Sequence, residues 1–246
     1  PKSVEKKITD KTKAIIPVHF TGQSVDLDPI INIAKKHNLK IIGDGAHAIG
    51  TKYKGEKIGS IVDMTEFSFH PVKTITSGEG GAITTNSKKL YDKLKLFRTH
   101  GITKDDDKLI NNEGPWFYEQ QDLGYNYRLT DIQCALGISQ LERIEEFKKR
   151  RKEITKKYNK AFQDIDEIIL QKEPDFSDTS RHLYIIQLVL EKLIIDRKEF
   201  FEKLRDKNIG VNVHYIPVYF HPYYKKLGYK KGLCPNVEKL YERMIT

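Results

Sequence analysis

Three short stretches carry residue types able to do chemistry together: Asp44-Gly45-Ala46-His47, Ser68-Phe69-His70-Pro71-Val72-Lys73 and Thr76-Ser77-Gly78-Glu79-Gly80-Gly81. Lys73 offers a primary amine, which can form a Schiff base with a carbonyl and, once freed, carry a proton between carbons. Asp44 offers an anion for a cationic ring nitrogen, while His47 and Ser68 add an imidazole and a hydroxyl. A structural ion pair between Asp44 and Lys73 is the plainer alternative, because such residues are common at strand ends. Spacing alone leaves both readings open.

The flanking elements must bring these stretches together. Residues 13–20, KAIIPVHF, form a short apolar run of strand type. Asp28 follows as an N-cap with Pro29 at the first helical position, then the periodic IINIAKKHN, then a second apolar run, KIIGD at 40–44. This is a βαβ unit, and strands this apolar belong in a parallel sheet covered by helices. TEFSFH (65–70) and GGAITTN (80–86) read as two more strands, with Ser87 capping a helix that runs to about His100 and stops at Gly101. Asp44 and the Ser68–Lys73 stretch then sit at strand carboxyl ends, where open α/β sheets place ligands. The expected class is α/β with a mainly parallel sheet.

Residues 103–122 form a long polar loop with one aromatic cluster, a length usually associated with function or mobility. A continuous helix is expected from about Thr130 to Phe162. The strand HLYIIQLVL, a helix opened by Asp196 with Glu199 three residues on, and the strand VNVHYIP describe a smaller C-terminal α+β domain. The division expected is 1–145 for the large domain and 146–246 for the small one. Pro235–Thr246 reads as a helix with no closing strand, and the chain, opening on Pro1, reads as a piece of a longer one.

The formal charge of +9 would suit an anionic partner. Its densest run, Lys148 to Lys152, falls where Leu141, Ile144, Phe147, Ile154, Tyr158 and Phe162 recur at helical spacing, so the charges are expected on the wet side of that helix. No aromatic platform interleaves with them, which disfavours nucleic acid. Cys134 and Cys234 stand alone, and His214 and His221 have no carboxylate or cysteine at ligand spacing, so no metal is expected. No apolar run reaches membrane length, and a cytoplasmic protein is expected. The glycine-rich run precedes a strand and opens no helix, which disfavours a dinucleotide. Its glycines read as letting the backbone pass close to the lysine.

An amine and a carboxylate at neighbouring strand ends meet the needs of pyridoxal phosphate, which wants a Schiff-base partner and an anion opposite its pyridine nitrogen. DGAHAIG, SFHPVKTITSGEGGAITTN, LFRTHGI and LGYNYRLTDIQCALGISQLERI resemble, in order, the signatures of the DegT/StrS-type sugar aminotransferases. VNVHYIPVYFHPYY and GYKKGLCPNVEKLYE are most similar to the branch that aminates C4 of a UDP-linked 4-keto sugar towards pseudaminic acid. The resemblance implies an aspartate-aminotransferase-like (fold type I) large domain, with glutamate as amino donor. It implies Lys73 as the Schiff-base lysine, Asp44 on the pyridine nitrogen, His47 against the phenolic oxygen or ring, and Ser68 on the phosphate. Asn126 of GYNYR would reach the phosphate of a neighbouring subunit, making the enzyme a homodimer.

Trp116 and Tyr118 could stack on a uracil or sugar ring or simply pack down. Arg128 could meet a phosphate or carboxylate or brace a helix start, and His214 and His221 could line a sugar pocket. The family's phosphate-binding helix N-terminus and ring-stacking aromatic are not found in these 246 residues, so this piece alone is expected to be inactive. Two competing readings are an aminotransferase for another nucleotide-linked 3- or 4-keto sugar and a non-catalytic sugar sensor. A related dehydratase carries histidine in place of the lysine, and Lys73 argues against it.

Overall fold

A computed structural model describes residues 1–246. The chain divides into two compact units, residues 1–148 with 175–180, and residues 149–174 with 181–246. In the first, α1 (Lys2–Glu5) leads into β1 (Ala14–Ile15), α2 (Leu27–Lys36) and β2 (Lys40–Asp44). A hairpin of β3 (Lys52–Tyr53) and β4 (Glu56–Lys57) precedes β5 (Met64–Ser68), β6 (Gly81–Thr84) and α3 (Lys88–Arg98). β7 (Ile102–Thr103) pairs with β8 (Glu119–Gln120), and α4 (Asp131–Glu142) and α5 (Ile144–Phe162) follow. The main sheet has the order β1-β2-β5-β6, parallel across its first two pairings and antiparallel at the last.

α2 covers this sheet because Leu27, Ile30, Ile33 and Ala34 fall on one helical face and are all buried. The helix begins two residues before the Asp28–Pro29 pattern indicates, with Asp26 at its N-cap. Neither aspartate caps through its side chain. The Tyr53 hydroxyl donates to Asp26 (2.8 Å) and Lys54 pairs with Asp28 (2.6 Å), while Pro29 fits the first turn, where an N–H has no helical partner.

The helix expected from Thr130 to Phe162 is two helices meeting at Arg143. α4 opens with a reciprocal cap: Thr130 Oγ1 accepts from Gln133 N–H (3.3 Å), and Gln133 Oε1 accepts from Thr130 N–H (3.0 Å). The basic run also departs from expectation. The Lys148 side chain is 4% exposed and donates to Gly50 O (2.9 Å) and Asp178 (2.6 Å), while Arg151 donates to the Arg181 and His182 carbonyls. Meanwhile Ile154 and Tyr158, placed on the buried stripe by periodicity, are exposed. Periodicity counts residue types, whereas here buried carbonyls and a carboxylate take up the charge.

Asp178 belongs to β10 (Ser177–Asp178), a segment that returns to the first unit and pairs antiparallel with β3. In the second unit, β9 (Ile168–Leu170) and β11 (Ile186–Leu188) are followed by α6 (Arg197–Asp206), α7 (Pro222–Lys226), α8 (Pro235–Arg243) and β12 (Met244–Ile245). Asp196 caps α6 as expected, accepting from Glu199 N–H at 2.8 Å. The run ending at Thr246 does close on a strand: β12 pairs with β11, and Met244 and Ile245 are buried. Ile245 joins Leu188 and Val211 in this unit's core. VNVHYIP forms no strand, although Asn212 exchanges both backbone hydrogen bonds with Thr246 (3.0 and 2.9 Å).

The Lys148–Asp178 pair gives an asymmetric prediction, because only its lysine is deeply buried. Asp178→Asn leaves an uncompensated buried ammonium and is expected to cost about 3–5 kcal/mol. Lys148→Met leaves a carboxylate that is already 39% exposed, so the cost is expected to stay below about 2 kcal/mol. Urea denaturation of both variants measures the difference, and equal costs would contradict this account.

Candidate functional site

Asp44 ends β2 and is held from both sides. Its N–H donates to Pro17 O (2.9 Å), His19 N–H donates to its carbonyl (3.0 Å), and the next residue's Gly45 N–H donates to Glu66 O (2.9 Å). The ladder thus runs past the end of β2 on both flanks and fixes the Asp44 backbone. Its carboxylate accepts from Ala46 N–H at 3.1 Å. A side chain on Gly45 would lie 2.8 Å from Glu66 O, so the close approach of β5 requires glycine there.

Glu66, which sequence reasoning passed over, is the direct partner of Asp44 across the β2–β5 pairing. Burial, a hydrogen bond with Asp44 and the Asp44 charge raise its carboxyl from 4.5 to about 7, and Lys73 opposes the shift. The structure therefore brings Asp44, Glu66 and Lys73 into one electrostatic group. The sequence carried no direct signal for it, because β2 and β5 are joined through the β3–β4 hairpin and only their register in the folded sheet sets Glu66 beside Asp44.

Lys73 is half-buried in a loop whose neck is closed by Phe69 N–H on Gly80 O (2.8 Å) and Ser77 N–H on Phe69 O (3.1 Å). Inside it, Lys73 N–H donates to His70 O (2.9 Å) and Thr76 Oγ1 donates to Phe69 O (2.8 Å), while Ile75 is buried as an anchor. The glycines at its end make room for protein: a side chain at Gly81 would fall 2.6 Å from Phe67 O, and one at Gly80 the same distance from Leu129. Ser68 Oγ, at the start of the loop, accepts from His70 N–H at 3.4 Å.

His47 is buried, its Nδ1 accepting from Thr21 N–H (3.3 Å) and its carbonyl from Ser180 Oγ (3.2 Å). Thr21 makes that contact from φ +63°, a conformation that costs a β-branched residue on the order of 1–3 kcal/mol. A second histidine, His19, was missed in the sequence. It is 1% exposed, and its Nδ1 accepts from Val25 N–H (3.2 Å). Burial pulls its imidazole down to about 4 against the opposing pull of Asp44.

Asn126 is exposed and bridges to Thr99, while Tyr125 and Tyr127 N–H groups donate to Phe97 O (2.7 Å) and Arg98 O (3.0 Å). GYNYR is thus strapped to the end of α3. Trp116, Tyr118 and Arg128 are exposed on the first unit; His214 is half-buried and His221 exposed on the second. No group of three His, Cys, Asp or Glu residues could hold a metal ion, and no helix is long and apolar enough to cross a membrane. A groove of about 470 Å³ lies at the opposite end of β2 and β5, lined by Leu39, Lys40, Ile41, Val62 and Asp63, away from the gathered charges.

A parallel-sheet α/β unit with a lysine loop and a paired carboxylate at its strand ends defines the class of protein. The chain belongs to the DegT/DnrJ/EryC1/StrS aminotransferase family, which it matches over residues 1–246. It is 46% identical over 214 residues to the UDP-4-amino-4,6-dideoxy-N-acetyl-beta-L-altrosamine transaminase of Campylobacter jejuni (strain 81-176), covering 87% of this chain and 54% of that one. The solved Helicobacter pylori PseC, an aminotransferase of pseudoaminic acid biosynthesis, matches at TM-score 0.90 and 33% identity, over 99% of this chain and 63% of that one. A putative sugar aminotransferase of Streptococcus pneumoniae, solved in its PLP-form, matches at TM-score 0.88 and 32% identity, over 99% and 65%. The chain spans 63% and 64% of the length of the curated relatives it matches end to end.

The buried His19 makes stability depend on pH. Its pKa is lowered from 6.5 to about 4, so in that interval the unfolded chain takes up a proton that the folded chain refuses. Stability from this residue is complete above 6.5 and is lost as pH falls towards 4, on the order of 3 kcal/mol in all. His19→Asn keeps an acceptor for Val25 and cannot titrate. Urea denaturation at the two ends of the interval should show a smaller acid loss in the variant, and an unchanged loss would refute the assignment.

Proposed function

We propose that the protein is a pyridoxal-phosphate-dependent transaminase that moves an amino group from glutamate to the C4 keto group of a UDP-4-keto-6-deoxy-HexNAc, in amino-sugar formation of the pseudaminic-acid type. The observation that carries this reading is the group formed by Asp44, Glu66 and Lys73 at the ends of β2 and β5, in a chain of the aminotransferase family. The names of the Campylobacter and Helicobacter relatives support the sugar and the carbon.

The residues fit the cofactor chemically: an amine, an anion on a strand end held from both flanks, a hydroxyl and a buried imidazole all belong to the first unit. Pyridoxal phosphate supplies an aldehyde that an amine can hold and a ring that accepts an electron pair when a C–H bond breaks. Lys73 holds the cofactor and, when its amine is released, takes the proton from one carbon and returns it to another. Asp44 keeps the pyridine nitrogen protonated, and its doubly anchored backbone gives that contact a fixed origin. His47 would serve the phenolic oxygen or ring, and Ser68 would hold the phosphate. Trp116, Tyr118 and Arg128 serve the nucleotide sugar, for which exposed aromatic faces and a guanidinium are suitable partners.

Asn126 serves the phosphate of a second copy, in a homodimer. Supporting this, α4 has no buried residue, with Ile132 83% and Ile138 61% exposed, and the exposed Leu123 and Asn126 precede it. A helix whose apolar residues are spread around it and left exposed calls for a covering surface.

The test is the full-length protein, incubated with glutamate and UDP- or dTDP-linked keto sugars and followed by mass spectrometry. Lys73→Ala is expected to abolish the visible absorption of lysine-bound cofactor and to slow turnover by roughly 10²–10⁴-fold from lost proton transfer alone. Retention of both would overturn the reading. Turnover of dTDP sugars only would remove the UDP assignment and leave the transaminase.

A further inference from the structure

We infer that Glu66 is a positioning residue for Asp44: across the β2–β5 ladder its carboxyl donates a hydrogen bond to the Asp44 carboxylate and fixes the direction in which that carboxylate faces the cofactor's ring nitrogen. The inference rests on the role proposed above for Asp44.

The geometry leaves Glu66 little else to do. It pairs directly with Asp44 on β2, and opposite it on β6 stands Ile83, which is apolar. The charged groups acting on it are Asp44 from β2 and Lys73 from the loop after β5. Two half-buried carboxyls in hydrogen-bond contact cannot both ionise cheaply, so one keeps a proton and becomes a donor. Glu66 is the one that keeps it, up to a pH of about 7.

A carboxylate that takes one hydrogen bond from Ala46 N–H and another from Glu66 is constrained at two points, leaving the remaining lone pairs for an external cation. Above that pH, Glu66 ionises and the donor becomes a like charge. The sign for stability follows: the folded chain holds a proton that the unfolded chain has released, so stability from this group falls between 4.5 and about 7 as pH rises.

The first test needs no cofactor. Carboxyl carbons of ¹³C-glutamate-labelled protein are followed by NMR through a pH titration, the Glu66 signal being the one absent from Glu66→Gln. A midpoint near 7 that falls in Asp44→Asn, while burial keeps it above the ordinary glutamate range, is expected. A midpoint in the ordinary glutamate range, or a raised one indifferent to Asp44→Asn, overturns the inference.

The second test measures pyridoxal phosphate affinity of the full-length protein below pH 7. Glu66→Ala is expected to weaken binding about tenfold or more, the worth of a hydrogen bond to a charged group, and Glu66→Gln to restore it by keeping a donor. Wild-type affinity in Glu66→Ala overturns the positioning role while leaving Asp44 untouched. Wild-type affinity in Asp44→Asn instead removes Asp44 as cofactor partner and the inference with it.

Discussion

The structure of the site depends on one constraint: the parallel ladder does not stop where β2 does. Pro17, His19 and Glu66 continue to bond the Asp44–Gly45 backbone from both flanks. A strand end is ordinarily where order gives way to loop, and here its backbone is still held from both sides. The carboxylate at that point can therefore be aimed by the backbone, and the neighbouring residues need only refine its direction. Gly45 belongs to the same constraint, because any side chain there would push β5 away.

The α/β order, Asp44 at the end of β2 and Lys73 in the loop that leaves β5 were legible because they follow from local rules: apolar runs of strand length, helical periodicity, and caps such as Ser87 and Asp196, both of which accept the expected backbone N–H. What was not legible depends on contacts distant in sequence. Glu66 looks like an ordinary charged residue in a strand until register sets it beside Asp44. Lys148 looks like one charge in a solvated run until Asp178 and Gly50 are found beside it. His19 looks like a strand-end polar residue, yet it is buried with one nitrogen committed to Val25.

Element ends were misread for a related reason. The Asp28–Pro29 pattern was sound as a helix start, but Tyr53 and Lys54 engage the two aspartates and the helix begins earlier. The run through residue 143 has no proline, and its one glycine, Gly137, lies inside α4 rather than at the break, so no sequence signal accounts for where the helix divides. The strand at Met244 is too short to show alternation; it exists because β11 offers an edge, and side-chain burial on both its residues holds it there.

Beneath the site the packing is polar where a simple core would be apolar. Thr51 Oγ1 donates to Gly22 O and contacts Ser180 Oγ at 3.0 Å; Ser180 N–H donates back to Thr51, and Ser180 Oγ donates to the carbonyl of His47. Ser24 N–H donates to Ser177 Oγ, so β10 and its flanks bind the turn after β1 as well. An apolar core of the same volume would tolerate small rotations, because dispersion is indifferent to direction. A chain of hydrogen bonds is not, and when its members are satisfied it selects one arrangement. The strained Thr21, whose N–H meets the His47 ring, is affordable only because the surrounding bonds leave it no alternative. The segment 175–180, through Ser180, thereby helps fix the backbone that carries the imidazole of His47.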